Sequence, residues 1–215
     1  MDGMIAKNNP AIKQSDHFIF KSLGMEFLTA LEWVATICGL IHVFLLTREK
    51  VIAWPFGIVT VAIYVYIFYV SKLYSDTILH VFYIFINSYG WYNWTRRKEE
   101  IAAVKISRLL PTGIFVLISI IAIGTLAWGY FMATKTDASF PYPDAFTTVA
   151  SVSAQYLLTQ KKLDNWAVWI VVNLVAMPIY FLKGLYVTVG LYAVYLVLSV
   201  MGLVEWRRMM KKGIL

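Results

Sequence analysis

Charge and cysteine are both scarce in this sequence. Asp, Glu, Lys and Arg make up 14% of its 215 residues, against roughly 25% in a typical soluble domain. A single cysteine, Cys38, excludes an intrachain disulfide framework, and it falls inside an apolar run, where a lone thiol packs as a small hydrophobe. Signatures of catalysis are missing as well. There is no His-Glu-x-x-His, no Gly-x-Ser-x-Gly, no Walker loop and no pair of aspartates at mid-span. Without a P-loop, the chain alone cannot drive pumping with ATP. These absences disfavour an enzyme and predict that no cofactor is held.

Apolar residues are abundant and contiguous. The chain is 60% hydrophobic and 16% aromatic, and its hydrophobic stretches run for about 20 residues, the length a helix needs to cross a hydrocarbon core. Seven such runs are read, roughly 25–46, 51–70, 74–94, 111–132, 144–159, 165–183 and 185–206. The fold class expected is therefore an all-α polytopic membrane protein with seven transmembrane helices in a lipid bilayer. A polar segment precedes the first run, unlike a cleaved signal peptide.

The net charge of +7 raises nucleic acid as a partner, but its distribution speaks against that reading. Thirteen of the nineteen Lys and Arg fall in the loops after the first, third, fifth and seventh runs. The positive-inside rule then places the N-terminus outside and the C-terminus in the cytoplasm.

The sequence also repeats itself at an offset of 112 residues. Leu45-Leu46-Thr47 with Lys50 and Trp54 returns as Leu157-Leu158-Thr159 with Lys162 and Trp166. Tyr83, Gly90, Trp94 and Arg96 return as Tyr195, Gly202, Trp206 and Arg208. From Thr36 to Arg96 there are 16 identities in 61 positions, where composition alone predicts roughly 5. Duplicated halves mark secondary transporters. Each repeat holds three spans, an odd number, so directly joined copies would face opposite ways. The fourth run has no counterpart and restores a common orientation, giving a 3+1+3 architecture of parallel repeats.

The division expected is a polar or interfacial segment (1–24), a first three-helix repeat (25–94) and a basic cytoplasmic linker (95–110). An inversion helix (111–132), an outer loop (133–143), a second repeat (144–206) and a basic tail (207–215) follow.

Ionisable residues within spans are few. Glu32, near the outer boundary, is the candidate for ion coupling, and its position favours uncoupled movement of solute. Neutral amides at mid-span are the notable polar groups: Asn87, Gln155 and Asn173. Buried amides serve either as interhelical glue or as ligand contacts. Their repeat equivalents are Ser199, Val43 and Val61, so they break the internal symmetry, as contacts to one asymmetric solute would. Trp169 lies one turn from Asn173, and Tyr83 one turn from Asn87, with Tyr195 its symmetry mate. Such a lining suits a flat, hydroxyl-bearing heterocycle, and π faces accept a cationic ring. Trp54, Trp94, Trp166 and Trp206 are read as interfacial anchors, and Pro178 as a gating bend or a static kink.

Several strings resemble the PnuC family of nicotinamide riboside transporters. They are Trp54-Pro55-Phe56-Gly57, Leu73-Tyr74-Ser75-Asp76 and Asn87-Ser88-Tyr89-Gly90-Trp91-Tyr92-Asn93-Trp94, with Ala154-Gln155-Tyr156-Leu157, Lys161-Lys162 and Asn165-Trp166-Ala167-Val168-Trp169-Ile170. This resemblance runs from about Glu32 to Arg208. It implies a bacterial inner-membrane importer, related in fold to the SWEET sugar transporters and homotrimeric. Nicotinamide riboside would enter by facilitated diffusion and be trapped by a separate kinase. The SWEET proline hinge does not carry over, because Pro55 and Pro178 have no proline partners in the repeat. Related carriers move riboflavin or thiamine, which stay open as substrates.

Overall fold

The computed structural model describes residues 10–70, 74–96, 105–136, 138–182, 184 and 186–212. Residues 97–104 of the basic linker and the last three residues of the tail lie outside them, as do Leu73 and Leu185. Seven helices account for nearly all of the described chain: α1 (Pro10–Thr47), α2 (Ala53–Val70), α3 (Tyr74–Arg96), α4 (Pro111–Lys135), α5 (Pro141–Thr159), α6 (Asp164–Leu182) and α7 (Tyr186–Lys212).

Large apolar side chains cover the outside, among them Phe85, Phe115, Ile123 and Leu126. In water this surface would aggregate, whereas in lipid it is the expected exterior. Five helices carry stretches long and apolar enough to cross a membrane: Glu26–Thr47, Ala53–Val70, Pro111–Lys135, Asp164–Leu182 and Thr188–Lys211. The two that fall short, α3 and α5, carry Asn87 and Gln155, and they pack against each other. Polar residues lower their hydropathy because these helices face each other and the interior as well as lipid.

The helices form a closed ring. Neighbours run α1–α2–α3–α5–α6–α7 and back to α1, and α4 lies outside the ring against α5. The two joints between repeats, α3 with α5 and α7 with α1, are equivalent under the 112-residue offset. The duplication is therefore a pseudo-twofold axis along the centre of the ring, with both repeats parallel.

Matching hydrogen bonds confirm the symmetry. Glu49 N–H donates to the Leu46 carbonyl and Lys50 N–H to Leu45; Lys161 N–H donates to Leu158 and Lys162 N–H to Leu157. Glu49 and Lys161 both adopt left-handed backbone, at φ 56° and 50°. Gly90 and Gly202 are also equivalent in their surroundings. A Cβ on Gly90 would lie 2.3 Å from the Trp54 ring, and one on Gly202 would lie 2.6 Å from that of Trp166. Each indole thus lies across a glycine of the third helix in its own repeat, where only a missing side chain permits such close approach.

Three segments differ from the sequence reading. The chain is already helical from Pro10, and that helix continues into the first span without a break. Pro141 and Pro143 belong to the first turn of α5, not to the connection before it. There the missing N–H costs nothing and the fixed φ suits a helix start. Residues 105–110 do more than link. Ser107 N–H donates to the Lys161 carbonyl, Leu163 N–H donates back to Ser107, and Leu109 N–H donates to Asp164 Oδ2 at 2.7 Å. This strand-like clip, with Ile106 buried beside it, holds the α5–α6 turn.

Candidate solute cavity

The ring encloses a cavity of about 490 Å³, within the ~300–1,000 Å³ usual for small-molecule sites. All six candidates from the sequence, Asn87, Gln155, Asn173, Trp169, Tyr83 and Tyr195, line it. So does His42, which the sequence reading does not single out. Among the described residues, no Asp, Glu, Lys or Arg contributes to the lining. Glu32 is exposed and lies away from it, and Pro178 is exposed on the outside of α6, which continues past it. No cluster of metal-ligating side chains occurs among the described residues.

The amides are paired, but not completely. Gln155 Nε2 donates to Asn87 Oδ1 at 2.6 Å, bridging α5 to α3 across the repeats. Asn173 Nδ2 donates to Ser199 Oγ at 3.2 Å, and Ser199 Oγ donates to the Tyr195 carbonyl. One end of each amide is thereby fixed. Asn87 Nδ2, Gln155 Oε1 and Asn173 Oδ1 have no protein partner among the described residues, yet are not among the enclosed unsatisfied atoms. They therefore open onto the cavity. Each amide has one group bonded between helices and one group left open.

Symmetry relates two walls of different chemistry. On the α5–α6 wall stand Ser151, Gln155, Trp169 and Asn173; the equivalent α1–α2 positions are Gly39, Val43, Gly57 and Val61, and His42 corresponds to Ala154, which is buried behind the lining. Volume is exchanged as well as polarity. His42 fills the space over Gly57, where a Cβ would meet its ring at 2.6 Å. In the other repeat the ring is on α6, as Trp169, and the position equivalent to His42 is the small Ala154.

The two ends of the cavity also differ. At the basic-loop end four indoles line up, with Trp54–Trp94, Trp94–Trp206 and Trp206–Trp166 ring centroids 5.2, 6.0 and 5.5 Å apart. All four are essentially fully buried. The reading of these tryptophans as interfacial anchors is therefore wrong. They lie at helix ends, as an interfacial belt would, but point toward the pseudo-axis, a direction that position along the chain does not reveal. Trp94 Nε1 donates to the Thr159 carbonyl at 3.2 Å and Trp206 Nε1 to the Leu46 carbonyl at 3.0 Å, so each satisfies a carbonyl near a helix end in the other repeat. Trp54 and Trp166, symmetry mates, keep buried indole N–H groups without partners among the described residues. Beside them Lys161 forms an ion pair with Glu49, its own repeat equivalent, and lies 4.8 Å from the Trp94 ring centroid.

A ring of membrane-spanning helices, arranged as two parallel repeats about an uncharged polar cavity, defines a secondary-transporter architecture. The comparisons agree. The family described as nicotinamide mononucleotide transporter matches residues 29–208, and the chain belongs to it. It is a multi-pass membrane transporter of the PnuC kind. A relative described as nicotinamide riboside transporter PnuC from Escherichia coli is 29% identical over 184 residues, covering 74% of this chain and 77% of the relative. Riboflavin/roseoflavin transporter RibM from Streptomyces davaonensis is 27% identical, covering 81% and 83%. The crystal structure of the vitamin B3 transporter PnuC superposes with a TM-score of 0.69 at 24% identity, covering 93% of this chain and 87% of that one. That likeness supports the fold.

Proposed function

We propose that the protein imports nicotinamide riboside by facilitated diffusion. The carrying observation is that the six mid-span residues singled out in the sequence line one cavity free of charged side chains among the described residues, a lining that suits a ribosylated, cationic aromatic ring. Open amide groups meet hydroxyls and a carboxamide, and the faces of Trp169, Tyr83 and Tyr195 offer stacking and cation–π contact. A lining without carboxylates among the described residues gives a coupling sodium ion no charged partner, which favours uncoupled movement.

Alternating access between the repeats (25–94 and 144–206, joined through the helix at 111–132) delivers the solute to a bacterial inner-membrane cytoplasmic face. The basic-loop end is that face, with the N-terminus outside. A separate kinase traps the product, and the assembly is a homotrimer of the SWEET-related type, as the family resemblance implies. The name of the RibM relative favours a second reading, a carrier for riboflavin.

Vesicles containing the purified protein test both. Labelled nicotinamide riboside should equilibrate without ATP or an ion gradient, and excess riboflavin or thiamine should compete poorly. Chemical conversion of the solute, or binding without flux, would sink the carrier reading. Gln155→Ala and Asn173→Ala should each weaken nicotinamide riboside binding by about 1–3 kcal/mol, the cost of a lost buried polar partner. Unchanged titration in both folded variants removes them from the site. Light scattering of the detergent-solubilised protein tests the trimer, and a monomer would refute it.

A further inference from the structure

The α1–α2 wall of the cavity is nearly devoid of polar groups. Besides glycine, Val43, Leu46, Val61 and Phe68, it offers Thr60 and His42. Thr60 is directed into the protein, since its Oγ1 lies 2.9 Å from the Phe56 carbonyl and 3.3 Å from that of Ala35. Its hydroxyl proton is held by carbonyls. His42 is different. Its Nδ1 lies 2.7 Å from the Ala53 carbonyl oxygen, which can only accept, so Nδ1 carries the proton. With no carboxylate in the lining to hold an imidazolium, the ring is neutral and Nε2 bears a lone pair. Nε2 has no protein partner among the described residues and is not among the enclosed unsatisfied atoms. It opens onto the cavity.

The ring has little freedom. It fills the gap over Gly57 and meets the edge of Trp54 at 5.9 Å between centroids. Across the pseudo-axis the equivalent residue is Ala154, so the repeat does not duplicate this group.

We propose that His42 is a specificity-determining residue of the carrier: its Nε2 accepts a hydrogen bond from a donor on the solute, on the wall facing the amides. This rests on the nicotinamide riboside reading above. The donor is a sugar O–H or a carboxamide N–H, and the two are separable. A solute lacking that donor would leave the lone pair unpartnered away from water, which a polar site rejects more strongly than an apolar one does.

The test is a calorimetric titration of the purified full-length protein with nicotinamide riboside, its 2′-deoxy and 3′-deoxy analogues, and nicotinic acid riboside. The wild-type protein should bind one of the three analogues about tenfold more weakly than the parent. In His42→Asn, whose amide N–H replaces Nδ1–H at Ala53 but which does not reach the cavity, that gap should close to within about twofold. The other gaps should persist. Which gap closes tells sugar from carboxamide. His42→Gln, which carries a carbonyl oxygen to the level of Nε2, should restore part of the gap. Solute-free melting of His42→Asn near the wild-type temperature separates recognition from folding. Gaps unchanged in His42→Asn, or all analogues weakened alike, overturn the assignment. Absence of nicotinamide riboside binding by the wild-type protein overturns the substrate reading and this assignment with it.

Discussion

The two ends of the cavity hold the repeats together in opposite ways. At the basic-loop end contacts cross the pseudo-axis: Trp94 against Trp206, indole N–H groups on carbonyls of the other repeat, Asn93 Nδ2 on the Thr159 carbonyl at 2.7 Å, and the Glu49–Lys161 pair. At the opposite end two symmetry-related ring pairs each lie within a single repeat. Phe68 and His80 lie 4.8 Å apart, and their equivalents Tyr180 and Tyr192 lie 5.0 Å apart. A carrier that alternates must be able to part its repeats at either end, one at a time. The indoles, the carbonyl bonds and the ion pair that cross the axis concentrate at the basic loops, and they describe a molecule latched there. The two buried indole N–H groups left unpaired in the latch raise its energy, by about 1–3 kcal/mol each if nothing replaces them. A latch that is too stable would not open.

Breaking the ion pair should have the largest effect. Glu49 and Lys161 side chains are 10% and 11% exposed, so Glu49→Gln or Lys161→Met should destabilise the latched state by about 3 kcal/mol, the low end for a buried pair. The two positions are related by the pseudo-twofold and share left-handed backbone. The exchange Glu49→Lys with Lys161→Glu should therefore recover most of the loss, with the new lysine facing Trp206 as Lys161 faces Trp94. Maleimide labelling reports the state, using Ser151→Cys in a Cys38→Ala background. Single variants should expose the cavity to reagent from the basic-loop side, and the exchange should close it again. If the exchange labels like the singles, the pair is not a symmetric latch.

Packing comes second. Gly90→Ala and Gly202→Ala each drive a methyl into a buried indole, an overpacking of about 1–3 kcal/mol. Gly190 lies in the same helix as Gly202 with nothing within 4 Å of its would-be Cβ. Gly190→Ala should be neutral or raise the melting temperature slightly, because alanine loses less backbone entropy in a helix. Equal effects at all three glycines would mean that helix propensity, not the indole cluster, governs this end.

Much of this was legible in the sequence, and the limits are physical. A 112-residue offset survives in identities because equivalent turns need equivalent residues, down to matched hydrogen bonds at Leu45–Lys50 and Leu157–Lys162. Span positions follow from hydropathy. Asn87, Gln155 and Asn173 attract notice because amides are expensive in hydrocarbon, but nothing local says that Asn87 meets Gln155, 68 residues away. The tryptophans misled because an indole at a helix end has the same sequence signature whether it faces lipid or the axis. Their tell was the company of Gly90 and Gly202, repeated with them. The repeat's matches build the closed end, and its mismatches build the walls of the cavity. His42 escaped notice because its counterpart, Ala154, is unremarkable until Gly57 and Trp169 show the exchange of volume.

The smallest effect should come from the opposite end. Phe68→Leu keeps most of the apolar volume and loses a ring pair confined to one repeat, an effect of about 1 kcal/mol or less beyond area. Because that pair ties α2 to α3 and not one repeat to the other, it contributes alike whether the repeats are parted or joined there. Melting temperature should fall slightly, while labelling of Ser151→Cys from the basic-loop side should not change. A labelling shift as large as that of Lys161→Met would show that Phe68 senses the gap between repeats. The two ends would then be mechanically coupled through α2 and could not be treated as independent latches. The outcome distinguishes a bundle that rocks as a rigid body from one that bends within itself.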